Sequence, residues 1–146
     1  MSYAVKSYME KDVQSINEDA TVIDAAKQMA KDVGRFGGYL IVLKQGSPLG
    51  ILTERDLVNK ILARGADPSK TKVSEVMSTP LVTIDPDEDL LKAAEMMRQK
   101  NVRKLPVVRN GIIYGIITAD DIAQKCGTYV DKTVKDIIRW TAPLGL

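Results

Sequence analysis

An internal repeat constrains this chain more than any other feature. Gly50-Ile51-Leu52-Thr53-Glu54-Arg55-Asp56 returns as Gly115-Ile116-Ile117-Thr118-Ala119-Asp120-Asp121, 65 residues later. Both copies read glycine, two aliphatics, threonine, two variable residues, aspartate. Upstream, Val22-Ile23-Asp24-Ala25-Ala26 matches Leu90-Leu91-Lys92-Ala93-Ala94 at an offset of 68. Tyr39-Leu40-Ile41-Val42 is aligned with Leu105-Pro106-Val107-Val108 at an offset of 66. The falling offset implies two extra residues near positions 34–38 of the first copy and one more in its turn at 45–48. Loops and turns are where a shared scaffold tolerates insertion. A period of this length marks one supersecondary unit used twice.

A shorter element occurs three times, as Val5-Lys6-Ser7-Tyr8-Met9, Val73-Ser74-Glu75-Val76-Met77 and Val134-Lys135-Asp136-Ile137-Ile138. It opens each copy and then closes the chain. The expected domains are therefore 5–66 and 73–128, parted by the turn-rich Gly65-Ala66-Asp67-Pro68-Ser69, with an extension at 129–146. In that extension Val134, Ile137 and Ile138 share a face, and with Trp140 they predict a packed helix over 134–140.

Each copy reads as strand, helix, strand, strand, helix, which is an α+β class. Ala25, Ala26 and Met29 follow Val22 at helical spacing, as Ala93, Ala94 and Met97 follow Leu90. Asn110-Gly111 between two apolar runs is a hairpin signal. Half of a 146-residue chain has a thin core, so the copies are expected to share an interface.

Composition removes several functions. There is no histidine, and the single Cys126 excludes an internal disulfide and a multi-cysteine zinc site. A net charge of +2 gives no argument for nucleic acid or an anionic membrane. No apolar run reaches spanning length, and the N-terminus lacks a signal-type stretch, so a cytoplasmic protein without membrane association is expected. No P-loop or dinucleotide fingerprint is present, and no enzyme is expected.

The order of elements and the doubled Gly-aliphatic-aliphatic-Thr-x-x-Asp signature resemble the cystathionine-β-synthase (CBS) domain family, from about Val5 to Cys126. Leu105-Pro106-Val107-Val108 and the Val73–Met77 opening look like further marks of that family. The resemblance implies two βαββα units packed about a pseudo-twofold axis, with two clefts between them. It also implies adenosine-containing ligands (AMP, ADP, ATP or S-adenosylmethionine), no required cofactor or metal, a homodimer, and a regulated partner protein. The copies differ: Gly37-Gly38-Tyr39-Leu40 is aligned with Arg103-Lys104-Leu105-Pro106.

On this resemblance, Asp56 and Asp121 accept both hydroxyls of a ribose, since an acceptor-only anion matches a cis-diol. Thr53 and Thr118 bond a ribose or phosphate oxygen, and Arg103 and Lys104 take phosphate. Tyr39, Leu105 and Pro106, with the segments around Gln14 and Val82, line the adenine slots. In related pairs the aspartate of one copy meets residues before the second strand of the other. That sets Asp56 and Thr53 against Arg103 to Pro106, and Asp121 and Thr118 against Gly37, Gly38 and Tyr39. In other relatives the basic pair serves its own copy's aspartate. Either way the sites are unequal, with one dominant.

The residues alone allow a plainer role, because Thr-x-x-Asp at a helix start is close to a capping box. Two further functions stay open. One is a nucleic-acid-binding or scaffolding dimer whose clefts are empty or hold another anion, which the near-neutral charge disfavours. The other is a divalent-cation sensor using Asp120, Asp121 and Asp131. Leu57, Ile61 and Ile122 are expected to expose the apolar surface of a flat dimer.

Overall fold

The computed structural model describes residues 3–31 and 38–126. The expected helix at 134–140, Asp131 and Gly37 lie outside the described residues. The chain divides into two compact units, Val13–Leu81 and the combination of Met1–Asp12 with Val82–Leu146.

The first unit runs β1 (Ser15–Asn17), α1 (Val22–Ala30), β2 (Tyr39–Lys44), β3 (Ser47–Thr53) and α2 (Glu54–Leu57), which continues as a π-helical stretch, Val58–Leu62. β1 pairs parallel with β2, and β2 pairs antiparallel with β3. Helix α1 starts where Thr21 accepts a hydrogen bond from the Asp24 N–H, satisfying one of the orphan donors of a first turn. It turns Val22, Ala25 and Met29 onto the sheet, where they join Leu40, Val42, Leu52 and Ile61 in one apolar cluster. Burying a side chain of this kind stabilises by about 1.5–3 kcal/mol.

The second unit contains α3 (Leu90–Lys100), β4 (Lys104–Arg109), β5 (Ile112–Thr118) and α4 (Ala119–Cys126). Asp89 caps α3 through the Leu91 N–H, and Asn101 ends it in the left-handed conformation at φ 59°. Leu90, Ala93, Ala94 and Met97 pack with Leu105, Val107, Ile117 and Ile122. The strand expected before α3 is reduced to a single parallel bridge between Ile84 and Val107. Pro86, two residues on, has no N–H to extend the ladder.

Strand register corrects the alignment of the copies. Tyr39 pairs with Thr53 and Lys104 with Thr118, so Tyr39 corresponds to Lys104, not Leu105, and Gly38 to Arg103. Both hairpins turn on two residues at positive φ, Gln45-Gly46 and Asn110-Gly111, and both carry a bulge at the same place. The extra residues of the first copy therefore all precede β2, and none lies in the hairpin.

The opening elements exchange places. Val5 donates to Glu88 O and Leu90 donates to Tyr3 O, so the first opening element completes the unit built from the second copy. Reciprocally, Val73 donates to Ala20 O and Val22 donates to Thr71 O. Each segment then crosses the signature glycine of its unit. Glu10 and Ile116 exchange backbone bonds of 2.8 and 2.9 Å, as Ser78 and Ile51 do at 2.8 and 3.1 Å. A Cβ on Gly115 would lie 2.5 Å from Glu10 O, and one on Gly50 would lie 2.7 Å from Ser78 O. The glycine of the signature is thus a matter of close approach.

The expected exposed apolar surface is also corrected. Ile61 and Ile122 are buried at 4% and 0% exposure, and Leu57 packs against the core. A unit this small uses the inner face of its last helix to close its own core. The exposed residues on that side are Val58 and Leu62.

Candidate functional site

The signature threonines and aspartates come to equivalent strand-to-helix junctions, one in each unit. At the first, Thr53 Oγ1 accepts from the Asp56 N–H while Asp56 Oδ2 accepts from the Thr53 N–H at 3.0 Å, a complete capping box. The cap that the residues alone allowed is therefore present. Asp56 is satisfied further by Lys60 at 3.0 Å and by the Ser78 hydroxyl at 3.2 Å, both on Oδ1. Gly38 O accepts from the Glu54 N–H, and Tyr39 pairs with Thr53, so these two residues flank Thr53 within their own unit. The Glu54 side chain fills the space a Cβ on Gly38 would need. Gln14 contributes its carbonyl to the Ile41 N–H at the edge of β2.

At the second junction Thr118 Oγ1 accepts from the Asp121 N–H at 3.0 Å. Asp121 is only 1% exposed, and its Oδ2 has no hydrogen-bond partner. Burial pushes this carboxyl above its ordinary range. The Thr118 hydrogen bond and the Lys125 charge oppose that, while the Glu10 carboxyl adds to it. Arg103 O accepts from the Ala119 N–H, and the Arg103 guanidinium bonds Asp120 at 2.9 Å. The Arg103 Nε is buried without a partner. The structure therefore sets Arg103 and Lys104 at the strand-to-helix junction of their own copy, with Arg103 held by Asp120. Strand alternation points Leu105 into the core, while Lys104 and Pro106 share the other face. Val82 packs against the same core.

The sequence reading missed four residues here. Lys60 and Lys125 each lie one helical turn beyond the signature aspartate, and Ser78 and Glu10 each follow the methionine of an opening element. The repeat spacing carried that signal, but only the exchange of opening elements gives it meaning. Among the described residues no group of three or more potential metal ligands forms, and Asp120 is held by Arg103. Among them, too, no helix is long and apolar enough to cross a membrane.

The CBS domain family matches residues 5–63 and again residues 73–127. A CBS domain-containing protein of Bacillus subtilis, YhcV, is 36% identical over 120 residues, covering 82% of this chain and 83% of that protein. A protein of Methanopyrus kandleri is 34% identical over 124 residues, covering 84% of this chain, which spans 62% of that relative's length. Among solved structures, the hexameric CBS-CP12 protein from bloom-forming cyanobacteria superposes with a TM-score of 0.78 at 34% identity, covering 88% of this chain and 71% of that one. A conserved CBS domain protein of Thermoplasma acidophilum shares the fold with a TM-score of 0.80 at 23% identity, covering 95% of this chain and 78% of its own.

Proposed function

This chain belongs to the CBS domain family, and from that premise we propose that it is a non-catalytic sensor whose strand-to-helix junctions take the ribose of an adenosine-containing ligand (AMP, ADP, ATP or S-adenosylmethionine). The observation that carries the reading is Asp121 Oδ2, a buried acceptor with no donor. Leaving such a group unsatisfied costs about 1–3 kcal/mol, and a ribose hydroxyl is a donor of the right kind. The dominant site is the Asp121 junction, where Arg103 and Lys104 stand close by for a phosphate. The Asp56 carboxylate already has Thr53, Lys60 and Ser78 as donors, so a ligand there gains less. Occupancy at Asp121 acts on the opening segment that crosses Gly115, and a ligand that favours one arrangement of it shifts the population a regulated partner protein meets. The chain self-associates through the exposed Val58 and Leu62.

A thermal-shift panel of AMP, ADP, ATP, S-adenosylmethionine, magnesium and a short oligonucleotide tests this. A ligand at about 100 times its dissociation constant adds roughly 2.7 kcal/mol of stability. At least one adenosine ligand should raise the melting temperature of the wild type and of Asp56→Ala, but not of Asp121→Ala. Silence from every adenosine ligand, or a shift only with the oligonucleotide, refutes the reading.

A further inference from the structure

The two junctions differ at one position outside the signature. The residue after the methionine of the opening element is Ser78 beside Asp56 and Glu10 beside Asp121. The serine hydroxyl donates to its aspartate at 3.2 Å. A carboxylate in the same place has nothing to donate.

The groups facing Asp121 come from three elements. Thr118 at the end of β5 bonds it, and Lys125 on α4 stands 3.8 Å from Oδ1. Glu10 approaches from the opening segment, while Arg103 beside β4 is turned to Asp120. Lys125 divides its ammonium among Tyr8 O at 3.3 Å, Glu10 Oε1 at 3.5 Å and Asp121. One partly exposed ammonium against two carboxylates leaves the buried Asp121 carboxylate incompletely compensated, while the Glu10 side chain beside it keeps 39% of its surface exposed. A single proton between the carboxyls removes both the repulsion and the orphaned Oδ2, because one acid then donates to the other.

We infer that Asp121 and Glu10 hold one proton between them, and that a ligand hydroxyl taken by Asp121 displaces it, so that capture at this junction is proton-linked. The first half stands on the orphaned Oδ2 and on the Lys125 ammonium that the two side chains share, and the second rests on the reading of Asp121 as a ribose acceptor. The upward displacement of the Asp121 carboxyl, to which burial contributes most and Glu10 adds, agrees with the first half. The proton belongs to the pair rather than to either residue. Below the pair's midpoint, affinity for a ribose should rise about tenfold per pH unit.

Two measurements on the full chain decide it. Carbon-13 carboxyl titration without ligand should place Asp121 above its ordinary 3.8, and Glu10→Ser, which copies Ser78, should bring it down. An Asp121 midpoint unchanged by Glu10→Ser overturns the shared proton. Calorimetry then uses adenosine, in buffers of different ionisation heat, at a pH below the measured midpoint. The wild type should release close to one proton per adenosine bound, and Glu10→Ser clearly less. Binding without proton release overturns the linkage. Absence of adenosine heat in every variant at every pH refutes the ribose reading, and the linkage with it, while the titration still judges the pair.

Discussion

Gly115→Ala tests the crossing of the opening segment most directly. The added methyl would stand 2.5 Å from Glu10 O and 2.8 Å from Met9 Sδ. Unstrained contacts begin near about 3.5 Å, so the segment must retreat by about 1 Å. That retreat stretches the 2.8 and 2.9 Å bonds between Glu10 and Ile116 beyond hydrogen-bonding range. Each is worth about 1 kcal/mol net, and overpacking costs about 1–3 kcal/mol where the neighbour cannot yield. The expected loss is about 3 kcal/mol, read by urea unfolding, or roughly 10 °C in melting temperature. Amide exchange should quicken first at Glu10 and Ile116. Gly111→Ala is the control, because its φ of +75° faces open space and strains only the turn, at about 1 kcal/mol. If Gly115→Ala unfolds within about 0.5 kcal/mol of wild type and both amides stay protected, the close-approach argument is wrong.

The two aspartates should respond unequally in urea. Asp56→Ala removes a capping acid, the partner of Lys60 and the acceptor of Ser78, and should cost about 2–4 kcal/mol. Asp121→Asn gives Glu10 a donor and should cost under about 1 kcal/mol at pH 8, where an ionised Asp121 is least favourable. A large loss there counts against the paired acids. Ile61→Ala should cost about 3 kcal/mol and Leu62→Ala less than about 0.5, since their exposures are 4% and 75%. Val58→Glu with Leu62→Glu should lower the mass seen by light scattering; an unchanged oligomer would mean a different face associates. Lys6 and Arg109 hold the Asp87 carboxyl down to about 2, and Arg109 also lowers Asp85. Their contribution is therefore complete above 3.8 and disappears as pH falls toward about 2. Arg109→Ala should flatten that acid limb of the pH–melting curve, and an unaltered limb would refute the assignment.

The sequence by itself determined the repeat, the two capped helices, the Asn110-Gly111 turn and the threonine–aspartate pairs, because each is local. Helical spacing puts Val22, Ala25 and Met29 on one face whatever lies opposite. A threonine three residues before an acid reaches that acid's N–H without help from the rest of the chain. Register was less legible. Tyr39 and Leu105 are both apolar residues near a strand start, and only ladder bonds separate alignments one residue apart, although such a slip reverses every side chain. What tertiary structure alone decided is the exchange of the opening elements. Val5–Met9 and Val73–Met77 are so alike that either fits either unit by pattern. The choice rests on pairings between distant residues, Glu10 with Ile116 and Ser78 with Ile51. From that choice follow the glycine of the signature, which must leave room for a crossing backbone, and the meeting of Glu10 with Asp121. A carboxylate near a buried carboxylate cannot be read from residues so far apart in the chain, because Glu10 comes to the Asp121 junction only once the segment is laid across β5.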